Sequence, residues 1–199
     1  ETYYSKEYSL SKMTTEAYLR SPDFEVIGFA YKIDNATPVW VTGDYKHMYN
    51  VLSDLQLEMH HVLAHNTAFD GAILKWHFHK NAKYFLDTLS MSRPLTGQTV
   101  GGSLAALAKK FALGEKGTEV LSALGKRRKD FTAHELELYG EYCKNDVQLT
   151  WNLFHVLRKY NPQKELYIQD LMLHMFIDPV LELDSTVLEK HLSVVQSKK

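Results

Sequence analysis

The sequence predicts an α/β protein in which helices pack against a mixed β-sheet. Strand-like and helix-like segments follow one another as strand, strand, helix, strand, helix, strand, and then helices only. The first two strands are separated by a short turn at residues 34–36, which is typical of an antiparallel hairpin. The composition is 45% hydrophobic and 24% charged, which is ordinary for a globular protein and argues against disorder.

Length, charge and cysteine content limit the classes of function. A chain of 199 residues is long enough for one domain with a full core. The formal net charge of −1 gives no global positive field, so any contact with nucleic acid must come from a local patch. The single cysteine, Cys143, excludes an internal disulfide and a cysteine-rich zinc site, which favours a reducing cytoplasm. No apolar run reaches the ~18 residues of a membrane span, so we expect no membrane contact.

The first half of the chain supplies most of the predicted sheet. Thr14 is placed to cap a short helix, and Asp44 opens a longer one with apolar residues on one face. A short apolar run ending at His65 is followed directly by a helix, the kind of junction where α/β proteins place functional groups. The predicted elements are a helix at 14–19, a hairpin at 25–33 and 37–41, a helix at 43–58, a strand at 61–65 and a helix at 66–76.

The second half is mainly helical. Thr132 and Glu135 have the spacing of a capping box, which predicts the start of a long helix that Pro162 stops. Ser103 and Asp184 are placed to cap two further helices. The predicted elements are a strand at 84–88, a loop at 94–102, helices at 104–113 and 132–161, and helices at 166–177 and 185–196, with a glycine-rich basic loop at 114–130.

The predicted sheet is one strand short. Parallel neighbours in a mixed sheet need a buried central strand, and the best place for it is before Glu1. Glu1 is also an unusual first residue for a natural chain. We therefore expect the sequence to be a piece of something longer.

Polar residues at three places share a pattern. Tyr142 and Asp146 are four residues apart, so their side chains lie on one face of the predicted long helix. Asn66 and Asp70 have the same spacing at the start of another helix. Each pair alone is more often a solvated surface pair than a site. Together with the acidic residue Glu1, and in this order, they are more specific.

These residues carry a resemblance that extends over almost the whole chain. The sequence resembles the tyrosine subclass of the DEDD 3′-5′ exonucleases, which implies a ribonuclease-H-like fold. The matching residues are Glu1-Thr2, as the second half of Asp-x-Glu-Thr, then Asn66 with Asp70 as Asn-x-x-x-Asp, and Tyr142 with Asp146 as Tyr-x-x-x-Asp.

Residues 3–20 and the tail at 178–184 are similar to the proofreading domain of phage-type family A DNA polymerases. This closer resemblance implies an exonuclease domain at 1–162 and a helical segment at 163–199 that leads into a polymerase domain. The expected partners are the 3′ end of single-stranded DNA and a covalently continuous polymerase domain. The protein is expected to act as a monomer during DNA replication, in a bacterial host cytoplasm if it is viral.

The resemblance also implies roles for the site residues. Two divalent ions, Mg²⁺ or Mn²⁺, would support hydrolysis of the phosphodiester bond. Glu1 and Asp146 would bind the ion that activates water, Asp70 would support the second ion through water, and Tyr142 would orient the attacking water. The residues expected to contact nucleic acid are Thr2, Asn66 and Phe69, although Phe69 also fits an ordinary core position.

The family's first motif has a further aspartate two places before the glutamate, and that position precedes Glu1. A chain that truly began at Glu1 would have an incomplete metal site and would lack the innermost strand. A longer chain would have neither defect, and the intact later motifs favour this alternative.

The densest basic run is Lys126, Arg127, Arg128 and Lys129. It is either a solvated loop or a set of phosphate contacts along single-stranded DNA. Two rival functions also stay open: a 3′-5′ exoribonuclease, and a degenerate domain that only binds single strands or serves a structural role.

Overall fold

The computed structural model describes residues 1–97, 100–115, 117 and 123–198. The strands are β1 (Gly28–Tyr31), β2 (Val39–Thr42), β3 (His61–Ala64) and β4 (Tyr84–Asp87). The α-helices are α1 (Thr15–Leu19), α2 (Tyr45–Asp54), α3 (Thr67–Trp76), α4 (Thr88–Thr96), α5 (Leu104–Lys110), α6 (Ala133–Leu157), α7 (Gln163–Ile177) and α8 (Ser185–Gln196). Short 3₁₀ turns lie at Leu57–Met59, Arg128–Asp130 and Arg158–Tyr160.

The strands form two separate pairs in the described residues, where one mixed sheet was predicted. β1 and β2 pair antiparallel, with Gly28 opposite Thr42, so the predicted hairpin is confirmed. β3 and β4 pair in parallel, with His61 opposite Tyr84. The α/β class is therefore right, and the two strand directions of a mixed sheet are present. They are divided between two two-stranded sheets because no ladder joins β1 to β3.

The first residues of the chain lie along the free edge of β1. The amino group of Glu1 donates to the carbonyl of Gly28 at 2.7 Å, and the amide of Ile27 donates to the carbonyl of Glu1 at 3.0 Å. Thr2 and Val26 form an antiparallel bridge next to this pair. Glu1 is thus fixed by backbone hydrogen bonds to the hairpin. The central strand predicted before Glu1 stays a prediction.

Helix α6 packs on β1, β2 and β3 and so links the two strand pairs. Its predicted capping box is confirmed, because Thr132 accepts from the Glu135 amide at 3.2 Å and Glu135 accepts from the Thr132 amide at 2.8 Å. The C-terminal half of α6 buries Leu149, Leu153 and Leu157 in a cluster with α4 and α5. The helix ends at Leu157, and a 3₁₀ turn follows before the predicted stop.

Two glycines allow α6 to approach the hairpin closely. The ring of Trp40 on β2 lies between Gly28 on β1 and Gly140 on α6. A Cβ atom at Gly140 would lie 2.5 Å from Cδ1 of Trp40, and one at Gly28 would lie 2.5 Å from its Cη2. Because neither glycine has a Cβ atom, α6 and β1 can both lie directly against the Trp40 ring, and this contact sets the distance between them.

The largest departure from the predicted elements is α4. The loop predicted at 94–102 begins with a helix, which runs from Thr88 and contains Pro94. Proline in the last turn removes only the hydrogen bond to the carbonyl of Ser90, and the helix ends two residues later. Asp87 supplies the N-cap that starts this helix. Elsewhere α2 and α5 are shorter than predicted, ending at Asp54 and Lys110.

The last two helices differ in how they are held. α7 packs on α3 and β4, where Asp170 accepts a 2.7 Å hydrogen bond from the Phe85 amide. α8 begins at the predicted cap Asp184 and contributes no buried residue. In the part of the chain that the structure describes, no helix is both long enough and apolar enough to cross a membrane. The proposed boundary near residue 162 stays a prediction.

Candidate active site

Three carboxylates reach one region from three separate elements. Glu1 lies beside β1, Asp70 is in the first turn of α3, and Asp146 is in the middle of α6. Burial lowers the pKa of the terminal amino group, but the negative charges of Glu1, Asp70 and Asp146 raise it, and the net shift is upward. All three carboxylates therefore act electrostatically on one point. Their roles as metal ligands stay predictions.

Asp70 is exposed to solvent, yet many protein atoms surround its carboxylate. Desolvation by the surrounding protein raises its pKa to about 6. The terminal amino group lowers this pKa, while the carboxylates of Glu1 and Asp87 raise it further. A cation at this place would relieve the repulsion between the carboxylates.

Two tyrosines of α6 stand next to this acidic group. Tyr142 is only 5% exposed and packs with Ile27 and Tyr139. The rings of Tyr139 and Tyr142 stack with centroids 6.1 Å apart. Tyr142 is therefore a phenol held mainly by the core, within the same helix face as Asp146.

Tyr139 is a site residue that the sequence interpretation missed. Its hydroxyl donates to Oε2 of Glu1 at 2.9 Å. Burial, and then the charge of Glu1, raise the pKa of Tyr139 far above the ordinary value, so the phenol stays protonated and remains a donor. The available signal was its position three residues before Tyr142, which places both rings on one helix face.

Cys143 lies on the same helix but is not an activated nucleophile. It is buried, and desolvation raises the pKa of its thiol to about 12. The thiolate needed for attack is therefore scarce near neutral pH. The groups in this region that can take part in a reaction are therefore its carboxylates and phenols.

The residues predicted to contact a terminal nucleotide have different surroundings. Asn66 is exposed and has a left-handed backbone, with φ 70° and ψ 52°. Phe69 is half-buried, and its ring lies 5.9 Å from that of Tyr18. Thr2 is buried, with its Oγ1 2.8 Å from the Tyr18 hydroxyl. Asn66 is thus the most accessible of the three.

The basic run is divided between ion pairs and free surface. Lys126 pairs with Glu135 at 2.5 Å, and Arg127 pairs with Asp23 at 3.0 Å and with Glu25 at 3.1 Å. These two cations tie the loop to α6 and to the segment before β1. Lys129, by contrast, is exposed.

Arg128 occupies an intermediate position in this run. Its side chain is half-buried, and its backbone amide donates to Glu25 at 3.0 Å. The run is therefore not a uniform solvated loop.

The donor set fits hard divalent ions. Carboxylate oxygens with water completing the shell suit Mg²⁺ and Mn²⁺, and the three acids provide such oxygens. No closed cluster of three or more His, Cys, Asp or Glu ligands is present among the described residues. The three carboxylates are near enough to interact electrostatically, but they do not form a closed set of metal ligands.

An acid-lined site without an activated thiol, on an α/β fold, is of the kind that hydrolases use. Comparison with known families makes this class specific, because residues 14–160 match the family model described as 3′-5′ exonuclease. This match covers most of the chain and includes Asp70, Tyr142 and Asp146. The chain belongs to the 3′-5′ exonuclease family, a family of hydrolases that act on nucleic acids and generally use divalent metal ions. No curated protein and no solved structure matches it.

Proposed function

We propose that the protein removes nucleotides one at a time from the 3′ end of DNA by two-metal-ion hydrolysis. The observation that carries this proposal is the convergence of Glu1, Asp70 and Asp146 from three elements, with the pKa of Asp70 raised to about 6. Neighbouring carboxylates of this kind repel one another unless a cation lies between them. The family match supports the direction of cleavage.

Each residue has a definite task in this proposal. Bound divalent ions would activate the attacking water and neutralise charge on the phosphate. Glu1, Asp70 and Asp146 would supply the carboxylate ligands, with Asp70 acting through water because it is exposed. Tyr142 would orient the attacking water.

Tyr139 keeps the Glu1 carboxylate in place through its 2.9 Å hydrogen bond. A carboxylate that accepts a hydrogen bond from a fixed phenol loses little freedom when it takes up a ligand. Tyr139 therefore belongs to the support of the site rather than to the ligands themselves.

The fuller architecture is also part of the proposal. A ribonuclease-H-like sheet would result if a further strand lay along the free edge of β1, beside Glu1 and Gly28. That strand would carry the remaining aspartate of the first motif. Its position along this edge would bring the aspartate next to Glu1, as the tyrosine subclass of the DEDD exonucleases requires.

We further propose that the domain proofreads for a family A polymerase domain that continues the chain. α8 supports this partner, because its apolar residues are exposed: Val187 at 62%, Leu188 at 47% and Leu192 at 51%. Met172 and Met175 on the outer face of α7 are exposed by 65% and 76%. Apolar helix faces of this kind are typical of contact with another folded domain.

The decisive experiment compares DNA and RNA oligonucleotides of one sequence, each labelled at the 5′ end. The protein is expressed with any residues that its gene encodes before Glu1. We expect progressive shortening of the DNA from the 3′ end with Mg²⁺ or Mn²⁺, and none with EDTA. A strong preference for RNA would overturn the polymerase assignment, and binding without hydrolysis in either metal would support the binding-only alternative.

A further inference from the structure

The carboxylate of Asp87 caps two helices at once. Asp87 ends β4 and is only 3% exposed. Its Oδ1 accepts from the amides of Asn66 at 2.8 Å, Thr67 at 3.3 Å and Leu89 at 3.1 Å. Its Oδ2 accepts from the amide of Ser90 at 3.2 Å and from the Ser90 hydroxyl at 2.6 Å. One oxygen therefore serves the start of α3, and both serve the start of α4.

Because Asp87, a residue distant in sequence, caps α3, the side chain of Asn66 is not used as the cap. Asparagine at an N-cap normally uses its own side chain to accept from the first turn of the helix. Asn66 makes no such capping bond, and its side chain is exposed. Asp87 takes over the capping role by bonding the amides of Asn66 and Thr67. The amide of the Asn66 side chain is thereby spared for another partner.

The same contact fixes the backbone that presents Asn66. The left-handed conformation of Asn66 is uncommon for a residue other than glycine, and a hydrogen bond from its amide holds it in place. Thr67 adds a second tie, because its hydroxyl donates to the carbonyl of Leu86 at 2.7 Å. Both ties come from the end of β4, so the strand aims the first turn of α3, which also carries Asp70.

We propose that Asp87 is a positioning residue for substrate, which orients Asn66 toward the terminal nucleotide of the strand being cut. This inference rests on the proposed exonuclease function. It assigns to Asp87 an effect on nucleotide affinity beyond its part in starting α4. Asp87 itself touches neither the nucleotide nor a metal ion.

The sharpest variant is Asp87→Ser. A serine at this position still accepts from the first turn of α4, which keeps that helix capped, but its short side chain gives up Asn66 and Thr67. The matched control is Ser90→Ala, which removes a contact to Oδ2 and leaves the contacts of Oδ1 in place. A second control, Asp170→Asn, weakens another buried carboxylate that bonds to β4 at Phe85, away from Asn66.

The measurements are the Kd for thymidine 5′-monophosphate by titration calorimetry and the KM and kcat for single-stranded DNA. We expect Asp87→Ser to raise Kd and KM by about tenfold, the effect of one lost hydrogen bond. The effect on kcat should be smaller, because the Thr67 hydroxyl still donates to the carbonyl of Leu86 and holds the turn that carries Asp70. Asn66→Ala should have the same effect, and the double variant should be no worse than either alone. Ser90→Ala and Asp170→Asn should keep wild-type Kd, even where the melting temperature falls.

Three outcomes would overturn the inference. The first is wild-type Kd and KM in Asp87→Ser, which would leave the proposed function intact. The second is a double variant whose loss of affinity equals the product of the two single losses, because the effects of residues that act through one contact are not additive. The third is failure of the unsubstituted protein to bind the nucleotide, which would count against the proposed function as well. If Asp87→Ser does not fold, Asp87→Asn is measured in its place; its neutral amide oxygen is a weaker acceptor for the amides of Asn66 and Thr67, so a smaller rise in Kd and KM is expected, and wild-type values would overturn the inference.

Discussion

Replacing Gly140 by alanine should push α6 away from the hairpin that holds Glu1. The added Cβ would lie 2.5 Å from Cδ1 of Trp40, 2.6 Å from Cγ and 2.9 Å from Nε1. These are atoms of a rigid ring rather than the end of a flexible side chain. The ring is also confined on its other side by Gly28. The helix or the hairpin must therefore shift.

The size of the effect follows from two opposing terms. Alanine favours the helix over glycine by ~1 kcal/mol. Overpacking of a close contact costs ~1–3 kcal/mol, and the upper part of this range applies because the ring has little room to move. The net loss in the free energy of unfolding should be ~1–2 kcal/mol.

A double-mutant cycle with Trp40→Leu isolates the contact. Without the indole ring the clash is absent, so Gly140→Ala should then stabilise the protein by up to ~1 kcal/mol. The coupling between the two positions should be ~2–3 kcal/mol when unfolding is followed in urea. Equal effects of Gly140→Ala in both backgrounds would refute the account of how α6 is positioned.

Three further predictions concern the support and the surface of the site. Tyr139→Phe removes the donor to Glu1, so cleavage should slow by about tenfold in a gel assay while the fold persists, and an unchanged rate would contradict this role. Hydrogen bonds from Lys126, then from Thr132, lower the pKa of Glu135 from 4.5 to about 2. The stability that this group contributes is therefore present above pH 4.5 and lost as the pH falls to about 2, and hydrogen exchange at the start of α6 should accelerate in that window. Lys129→Ala should weaken oligonucleotide binding and reduce the slope of log K against log salt by ~0.7–1, whereas an unchanged slope would place Lys129 outside the DNA path.

Local chemistry allowed the helix starts to be predicted from sequence. Thr14, Ser103, Thr132 and Asp184 all act as N-caps, because a short polar side chain directly before an apolar stripe has few other roles. The hairpin was predictable for the same reason, since its turn chemistry and β-branched residues are contiguous. These features depend on residues only a few positions apart.

The missed features depend on contacts between distant residues. Helix α4 was missed because proline suggested a loop, whereas Asp87 starts the helix and Pro94 falls where one lost hydrogen bond matters little. The link from Tyr139 to Glu1 joins residues 138 positions apart and leaves no local pattern. The division of the basic run was also hidden, because Asp23 and Glu25 lie about a hundred residues from Arg127.

Spacing in the sequence was enough to group the candidate site residues, but not to predict their environment. Spacing placed Asp70 and Asp146 on helix faces, and the structure brings them to one region with Glu1. The raised pKa of Asp70 results from crowding by the whole fold, which no spacing in the sequence encodes.

The central claim is tested most directly by cleavage of 5′-labelled single-stranded DNA with Mg²⁺, comparing the protein with Asp146→Asn. The variant keeps the shape of the side chain but removes its charge. We expect a ladder of products shortened from the 3′ end, and a cleavage rate lower by ~100-fold or more in the variant, since even residues that support metal ligands are worth ~10–100-fold. Cleavage at the same rate in Asp146→Asn, or products shortened from the 5′ end, would contradict it.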